Sequence, residues 1–501
     1  MRLLLSLVTL LLSVSVFAAE RNIIFIITDD QSPTLGCYGD PVAYSPAVDR
    51  LAEDGTLFIR AYATTASCSA SRSVVMSGLH NHHNGQYGHT HAYHKFESYR
   101  NVVSLALPRV LANEGYRTAQ IGKYHVAPEE VFHYETYLRA NGRNAVQMAN
   151  VSESFITADD PRPFFLYFAT NDPHRGGGKD EYFAGKLKPD LFGNLPNDAA
   201  HEGVNEVIYD PDDVVIPPFL PDTAESRSEL AQYYQSTARV DQGVERLIEI
   251  LKENDLFDKT LIVFTADHGM AFAGAKTTIF EGGLRVPFIV RNPYEKNRGV
   301  QSDAMISHID ITPSLLDFAG GLDKTKNAPK KLIPASKYWK KKDYVFMENM
   351  GKDEYNKYHG KSWIGILGNS RANHWEVVFG SHTFHEIQMY YPMRSVNNGR
   401  YKLIWNIAAG LPYPFASDLW ASSTWQASLA KGPDTEYGMM TVDEYVNRPT
   451  WQLYELGEVG YEDKNLAEDP HYAKVLNKMK AKLKEYQKTM NDPWIMKWEY
   501  E

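Results

Sequence analysis

Four short runs in this chain are apolar almost from end to end: Asn22–Thr28 (NIIFIIT), residues 163–169 (PFFLYFA), Thr260–Ala266 (TLIVFTA) and residues 287–290. A strand with one wet face alternates apolar and polar residues, so a continuous run requires cover on both faces. Between these runs lie helical patterns. The clearest puts Val240, Val244, Leu247, Ile248 and Leu251 on one face, immediately before TLIVFTA. Alternation of this kind predicts an α/β fold, a large, mostly parallel or mixed sheet flanked by helices. Ligands in such sheets bind beyond the carboxyl ends of the strands. The residues that follow each run are therefore where chemistry is expected. Asp29-Asp30 follows the first run and Asp267-His268-Gly269 follows the third.

With 501 residues the chain has room for more than one domain. Met1-Arg2, the apolar residues 3–17 and the small residues Ala18 and Ala19 predict a signal peptide over 1–19, cleaved after Ala18 or Ala19, with a retained anchor as the alternative. No later segment reaches the roughly 18 apolar residues of a membrane helix. The expectation is an exported protein, periplasmic or secreted, off the membrane once the leader is removed. Residues 323–343 carry eight lysines and two prolines with no apolar period, which predicts an exposed connection. The expected division is a catalytic domain over 20–335 and a smaller C-terminal α+β domain over 336–501 that contributes to the substrate pocket. Short strands are expected at 344–347, 374–380 and 401–406. A last helix is expected from Asp469-Pro470, docking through Leu476, Met479, Leu483, Tyr486 and Met490.

The formal charge of −10 argues against nucleic acid or any general polyanion-binding surface. An anionic substrate must then meet a local basic pocket. Of the two cysteines, Cys37 and Cys68, the second stands in Ser67-Cys68-Ser69-Ala70-Ser71-Arg72. A small buried cysteine before an arginine is common by itself. Each acidic pair is equally well a helix cap or a turn. Two such pairs at strand ends, with a nucleophile motif between them in sequence, point to a hard cation held by oxygen ligands. The histidines at 80, 82, 83, 89, 91 and 94 fit no zinc spacing and predict a pocket-lining loop.

Asp29-Asp30, Cys68-x-Ala-x-Arg72, Gly78-Leu79, Gly122-Lys123-Tyr124-His125, Asp172-Pro173-His174, residues 265–269 (TADHG) and residues 281–287 (EGGLRVP) occur in the order found in type I sulfatases. The chain resembles that family, of the alkaline phosphatase superfamily, over nearly its whole mature length. Residues 122–128 (GKYHVAP), 162–167 (RPFFLY), 171–175 (NDPHR) and 391–396 (YPMRSV), with His385-Glu386, resemble its heparan N-sulfatase branch in particular. Two positions depart from the usual motif: Ala70 replaces a frequent proline, and His268 a frequent asparagine.

The resemblance implies oxidation of Cys68 to formylglycine by a formylglycine-generating maturation enzyme, leaving Cys37 a lone thiol. It implies one Ca²⁺, with Mg²⁺ an alternative, held by Asp29, Asp30, residue 68, Asp267 and His268. Arg72 and Lys123 would orient the hydrated aldehyde and Lys276 would bind sulfate. His174 would protonate the leaving group, and His125 would be the base of the second half-reaction. For the sugar the expected residues are His94, His385, Glu386 and Arg394. The implied substrate is a sulfated hexosamine in a glycan, with the N-sulfate of glucosamine placed first and an O-sulfate as the alternative. A non-catalytic glycan-binding protein is expected if Cys68 is not matured. A homodimer is left open.

Overall fold

The computed structural model describes residues 21–91, 95–176, 192–196, 199–333, 356–457 and 460–500. The leader, the boundary at 335, the strand expected at 344–347 and His94 lie outside these residues.

The apolar runs become strands because both of their faces can be covered. The large sheet contains β1 (Asn22–Thr28), β2 (Thr56–Tyr62), β3 (Arg117–Gly122), β4 (Thr136–Leu138), β5 (Phe164–Ala169), β6 (Thr260–Ala266), β7 (Phe288–Arg291) and β8 (Val300–Ser307). Their spatial order is β4-β3-β5-β1-β6-β7-β2-β8. β1 lies in the middle, parallel to both β5 and β6, with Ile27 beside Ala169 and Thr265. The three strands therefore end level with one another. Along β1, Ile23, Phe25 and Ile27 enter one core while Ile24 and Ile26 enter the other. Each such side chain contributes about 1.5–3 kcal/mol by leaving water, so a polar replacement strikes a core whichever face it enters.

One strand departs from the parallel pattern. β7 runs antiparallel to both β6 and β2. A strand buried on both faces looks the same in sequence whichever way it points, so its composition carries no direction. Helix α1 (Cys68–Ser77) covers one face of the sheet with Val75 and Met76. Helices α2 (Ala145–Ile156) and α3 (Ala224–Glu253) cover the other. The face expected on α3 is fully buried.

The smaller C-terminal part is an antiparallel sheet of β9 (Val378–His382), β10 (Met393–Asn397), β11 (Tyr401–Asn406) and β12 (Trp451–Glu455), in that order. β9 begins four residues later than the sequence suggested. Helix α4 (Ala473–Thr489) docks on this sheet through Met479, Leu483 and Tyr486, against Val396, Leu403 and Leu453. The two parts are stitched together in several places. Ser381 donates its backbone N–H to Thr64 O at 2.7 Å. Buried Lys402 of β11 reaches Glu281 and Glu462, both at 2.8 Å.

Candidate active site

Because β1, β3, β5 and β6 end level, the residues after them converge. Asp29 N–H donates to Asp172 O at 3.1 Å, Asp267 N–H to Thr28 O at 3.0 Å, and Lys123 N–H to Ala169 O at 2.8 Å. Gly122 makes the turn into Lys123 with a φ of +80°, and a Cβ there would sit 2.0 Å from Ala169 O. Only glycine satisfies both conditions. α1 brings in the remaining group. It starts at Cys68 after the extended Ser67, and Gly78 ends it at a φ of 66°.

Cys68 Sγ lies 3.3 Å from His268 Nε2 and 3.6 Å from Asp30 Oδ1. One turn along α1, Arg72 reaches Asp267 Oδ2 at 3.0 Å and Asp29 Oδ1 at 3.3 Å, and donates to Tyr167 Oη at 3.1 Å. Lys123 pairs with Asp29. Lys276 Nζ stands between Asp30 Oδ2 at 2.8 Å, His174 Nε2 at 3.0 Å and Asp418 Oδ2 at 2.7 Å. Apart from His174 and the edges of Lys123 and Asp418, these side chains are almost entirely buried.

The electrostatics suit a cation. Burial, with Asp29 beside it, pushes the Asp267 carboxyl up to about 6. Burial raises Asp29 as well, but Lys123, His174 and Arg72 outweigh it and hold that carboxyl well below the usual range. Asp30, Cys68, Asp267 and His268 each offer a donor atom within 4.8 Å of the others, as do Asp29, Asp30 and His174. The ring of His268 is set for this role: its Nδ1 lies 2.9 Å from Gly269 O, which leaves Nε2 facing Asp30 and Cys68. Carboxylate oxygens in this number suit a hard cation such as Ca²⁺ or Mg²⁺. Burial raises the Cys68 thiol well above its usual value, with Lys123 offsetting part of the effect. Unmodified, it would be a poor nucleophile at neutral pH.

Histidines line one wall. His385 Nδ1 lies 3.1 Å from Ser67 Oγ, and its ring centroid is 3.8 Å from that of His89. His125, at a φ of 47°, packs edge-on to His89 at 4.9 Å, and its Nδ1 is buried without a hydrogen-bond partner. The chain thus brings Asp29, Asp30, Cys68, Arg72, Lys123, His125, His174, Asp267, His268, Lys276 and His385 together. Glu386 is half-buried on the next position, where its carboxylate accepts from Gln388.

Arg394 is not brought to this group. It is fully buried in a two-bond pair with Asp492, at 2.6 and 2.9 Å, under the Trp494 ring. Sequence motifs suggested neither Asp492 nor Asp418. Both acids lie in stretches without periodic pattern, and the partners they meet are 98 and 142 residues away. Tyr167 was more legible: it carries the only side-chain polar atom in PFFLYFA.

The family model for sulfatases matches residues 21–321. The chain belongs to the sulfatase family, whose members hydrolyse sulfuric esters or sulfamates. It is 32% identical to human N-sulphoglucosamine sulphohydrolase, over 95% of this chain and 92% of that one. An N-acetylglucosamine-6-O-sulfatase of Bacteroides thetaiotaomicron is 24% identical, over 60% of this chain and 68% of its own. Among solved structures, a Bacteroides thetaiotaomicron sulfatase superposes with a TM-score of 0.64 at 17% identity, covering 95% of this chain and 94% of its own. A phosphonate monoester hydrolase of Agrobacterium radiobacter gives 0.62 at 18%, covering 94% and 96%. At these identities the structures speak for the fold alone. No helix among the described residues is long and apolar enough to cross a membrane.

Proposed function

We propose that this chain removes the N-sulfate from glucosamine in heparan-type glycans, using formylglycine at position 68 and one bound Ca²⁺ or Mg²⁺. The observation that carries the substrate is the 32% identity to the human N-sulphoglucosamine enzyme, which extends over 95% of the chain, C-terminal part included. The chemistry is carried by the cluster at the strand ends.

Asp29, Asp30, Asp267 and His268 would hold the cation, whose charge, when bound, offsets that of the sulfuryl oxygens. Residue 68, oxidised, supplies a hydrated aldehyde oxygen as nucleophile. Arg72, locked between Asp29 and Asp267, fixes α1 so that residue 68 faces the cation site. Lys123 lies against Asp29 and orients the nucleophile from the other side. Lys276 binds the sulfate, exchanging part of its contact with Asp30 for sulfuryl oxygens. It is the local basic pocket that a chain of net charge −10 requires.

His174 protonates the leaving nitrogen. In the free protein burial and then Lys276 hold its imidazole at about 4. A bound sulfate anion engages Lys276 and favours the imidazolium. His125, whose Nδ1 has no partner, is the base for the second half of the reaction.

A second reading, an O-sulfatase, is favoured by the 24% identity to the 6-O-sulfatase, which covers a smaller share of both chains. The test is sulfate release from N-sulfoglucosamine beside N-acetylglucosamine 6-sulfate, with protein co-expressed with a formylglycine-generating enzyme. Free amine and sulfate from the first substrate are expected. Release from the second alone selects the O-sulfatase reading. Mass spectrometry of the peptide containing residue 68 reports the aldehyde, and unmodified cysteine in active protein would sink the formylglycine mechanism.

A further inference from the structure

Lys276 holds one more carboxylate than it needs. Asp30 already pairs with it at 2.8 Å, yet Asp418 approaches from the opposite part of the molecule at 2.7 Å. Its side chain is 18% exposed, against 1% for Lys276 and 0% for Asp30, so Asp418 shares the open edge of the cluster with His174 at 25% and Lys123 at 16%. A substrate that reaches Lys276 over this edge passes His174 and Asp418. Beside a pocket built for sulfate, a second negative charge opposes binding of an anion unless the substrate brings a hydrogen-bond donor to that point.

The position of Asp418 is built. Arg175, next to His174, is fully buried and grips Glu229 of α3 through two bonds of 2.9 Å. The same Glu229 carboxylate accepts Ser423 N–H at 2.9 Å and Thr424 Oγ1–H at 2.5 Å. One buried carboxylate thus ties the segment carrying His174 to the segment carrying Asp418. Lys276 touches both residues. The leaving-group acid and Asp418 are held as a pair.

We propose that Asp418 reads the atom that bridges sugar and sulfur, accepting the N–H of a sulfamate. The inference rests on the N-sulfate reading above. A sulfamate, R–NH–SO₃⁻, presents an N–H to this carboxylate, whereas the bridging oxygen of a sulfate ester presents only lone pairs and is repelled. In the net reaction, R–NH–SO₃⁻ + H₂O gives R–NH₃⁺ + SO₄²⁻. The S–N bond breaks with its electron pair on nitrogen as the hydrated aldehyde oxygen of residue 68 bonds to sulfur, and release of sulfate then returns that aldehyde for rehydration by water. Net, water supplies the fourth sulfate oxygen and both protons: one replaces the proton that His174 gives the nitrogen, and the other completes the ammonium. The resulting ammonium forms beside Asp418, where opposite charge favours it. Asp418 is in this way a specificity residue for N- over O-sulfate.

The experiment compares matured wild type with Asp418→Asn. On N-sulfoglucosamine the variant is expected to lose about 10- to 150-fold in kcat/KM, the range for a hydrogen bond to a charged group. On N-acetylglucosamine 6-sulfate, whose bridging oxygen the carboxylate repels, any change is expected to be a gain or a far smaller loss, so the ratio of the two kcat/KM values should fall at least tenfold. Product inhibition supplies a readout independent of any ester activity: glucosamine should inhibit the variant at least tenfold more weakly, while inhibition by inorganic sulfate stays the same or tightens. Retained sulfate inhibition also shows that the variant is folded. Asp418 is reduced to a positioning residue for Lys276, and the inference falls, if sulfate inhibition weakens while glucosamine inhibition does not change. An equal loss on both substrates overturns it too. Wild type that fails on N-sulfoglucosamine refutes the N-sulfate reading itself and takes this inference with it.

Discussion

Replacing Arg394 separates two roles that one arginine cannot fill together. The resemblance around residues 391–396 suggested the sugar subsite for it, whereas its Nε and Nη2 are engaged with Asp492. It also donates to His382 O and Met393 O, both at 2.9 Å. Arg394→Met keeps most of the volume and removes the charge, leaving Asp492 buried without its counter-ion. Breaking a buried pair from one side costs about 3–5 kcal/mol. For a unit of 150–250 residues, about 2–4 °C of Tm per kcal/mol then gives a fall of roughly 6–20 °C. Below the new melting temperature, KM for N-sulfoglucosamine should be unchanged. The double variant Arg394→Met, Asp492→Leu should recover part of the loss, with a coupling energy of about 0.5–3 kcal/mol. Scanning calorimetry with initial-rate kinetics reads both quantities. A variant with wild-type Tm and a tenfold higher KM would falsify the reasoning, because Arg394 would then be spending its charge on substrate.

Acid should destabilise the fold through its buried histidines. His80 packs on His82, His359 and Tyr486 with centroids 5.2 to 5.6 Å apart. Burial holds His82 at about 4 and His382 at about 3, and lowers His80 and His359 as well. The unfolded chain takes up protons below about 6.5 that the folded chain refuses, so stability is lost as pH falls from there. Each histidine contributes up to about 1.4 kcal/mol per pH unit, and urea midpoints should drop steadily from pH 7 to pH 4. Calcium should work in the other direction. In metal-free protein the raised Asp267 carboxyl makes folding less favourable as pH rises from about 4 to about 6, so the Tm gained on adding Ca²⁺ should be larger at pH 7 than at pH 5. An equal gain at both pH values would remove Asp267 from the cation site. Lys402→Met leaves Glu281 and Glu462 facing each other in the core and should cost about 3–5 kcal/mol. Adding Glu462→Gln should return part of it in a urea titration.

What the sequence made legible follows from how local each signal is. β1, β5 and β6 announced themselves because both faces are dry. Thr56–Tyr62 did not, because Ile59 and Arg60 are half-exposed and interrupt the run. The ligand cluster was legible because each member directly follows a strand or opens a helix. Arg394 and Lys276 were visible as residues, but Asp492 and Asp418, which meet them, were not. A contact across 98 or 142 residues leaves no mark in either neighbourhood: the docking of α4 on the C-terminal sheet brings Asp492 to Arg394, and the packing of the C-terminal part against the large sheet brings Asp418 to Lys276.

Cys68 has no exposed surface in the folded chain. Any enzyme that modifies it therefore works against a clock set by synthesis. Part of what surrounds it arrives late: Asp267 and His268 follow by about 200 residues, and Lys276 by 208, the difference between 276 and 68. At about 5–20 residues per second, that last interval is roughly 10–40 s. Until it has passed, the strand and turn that help enclose Cys68 have not been made. The long spacing between Cys68 and the residues that enclose it gives modification its time, and slower synthesis would lengthen it.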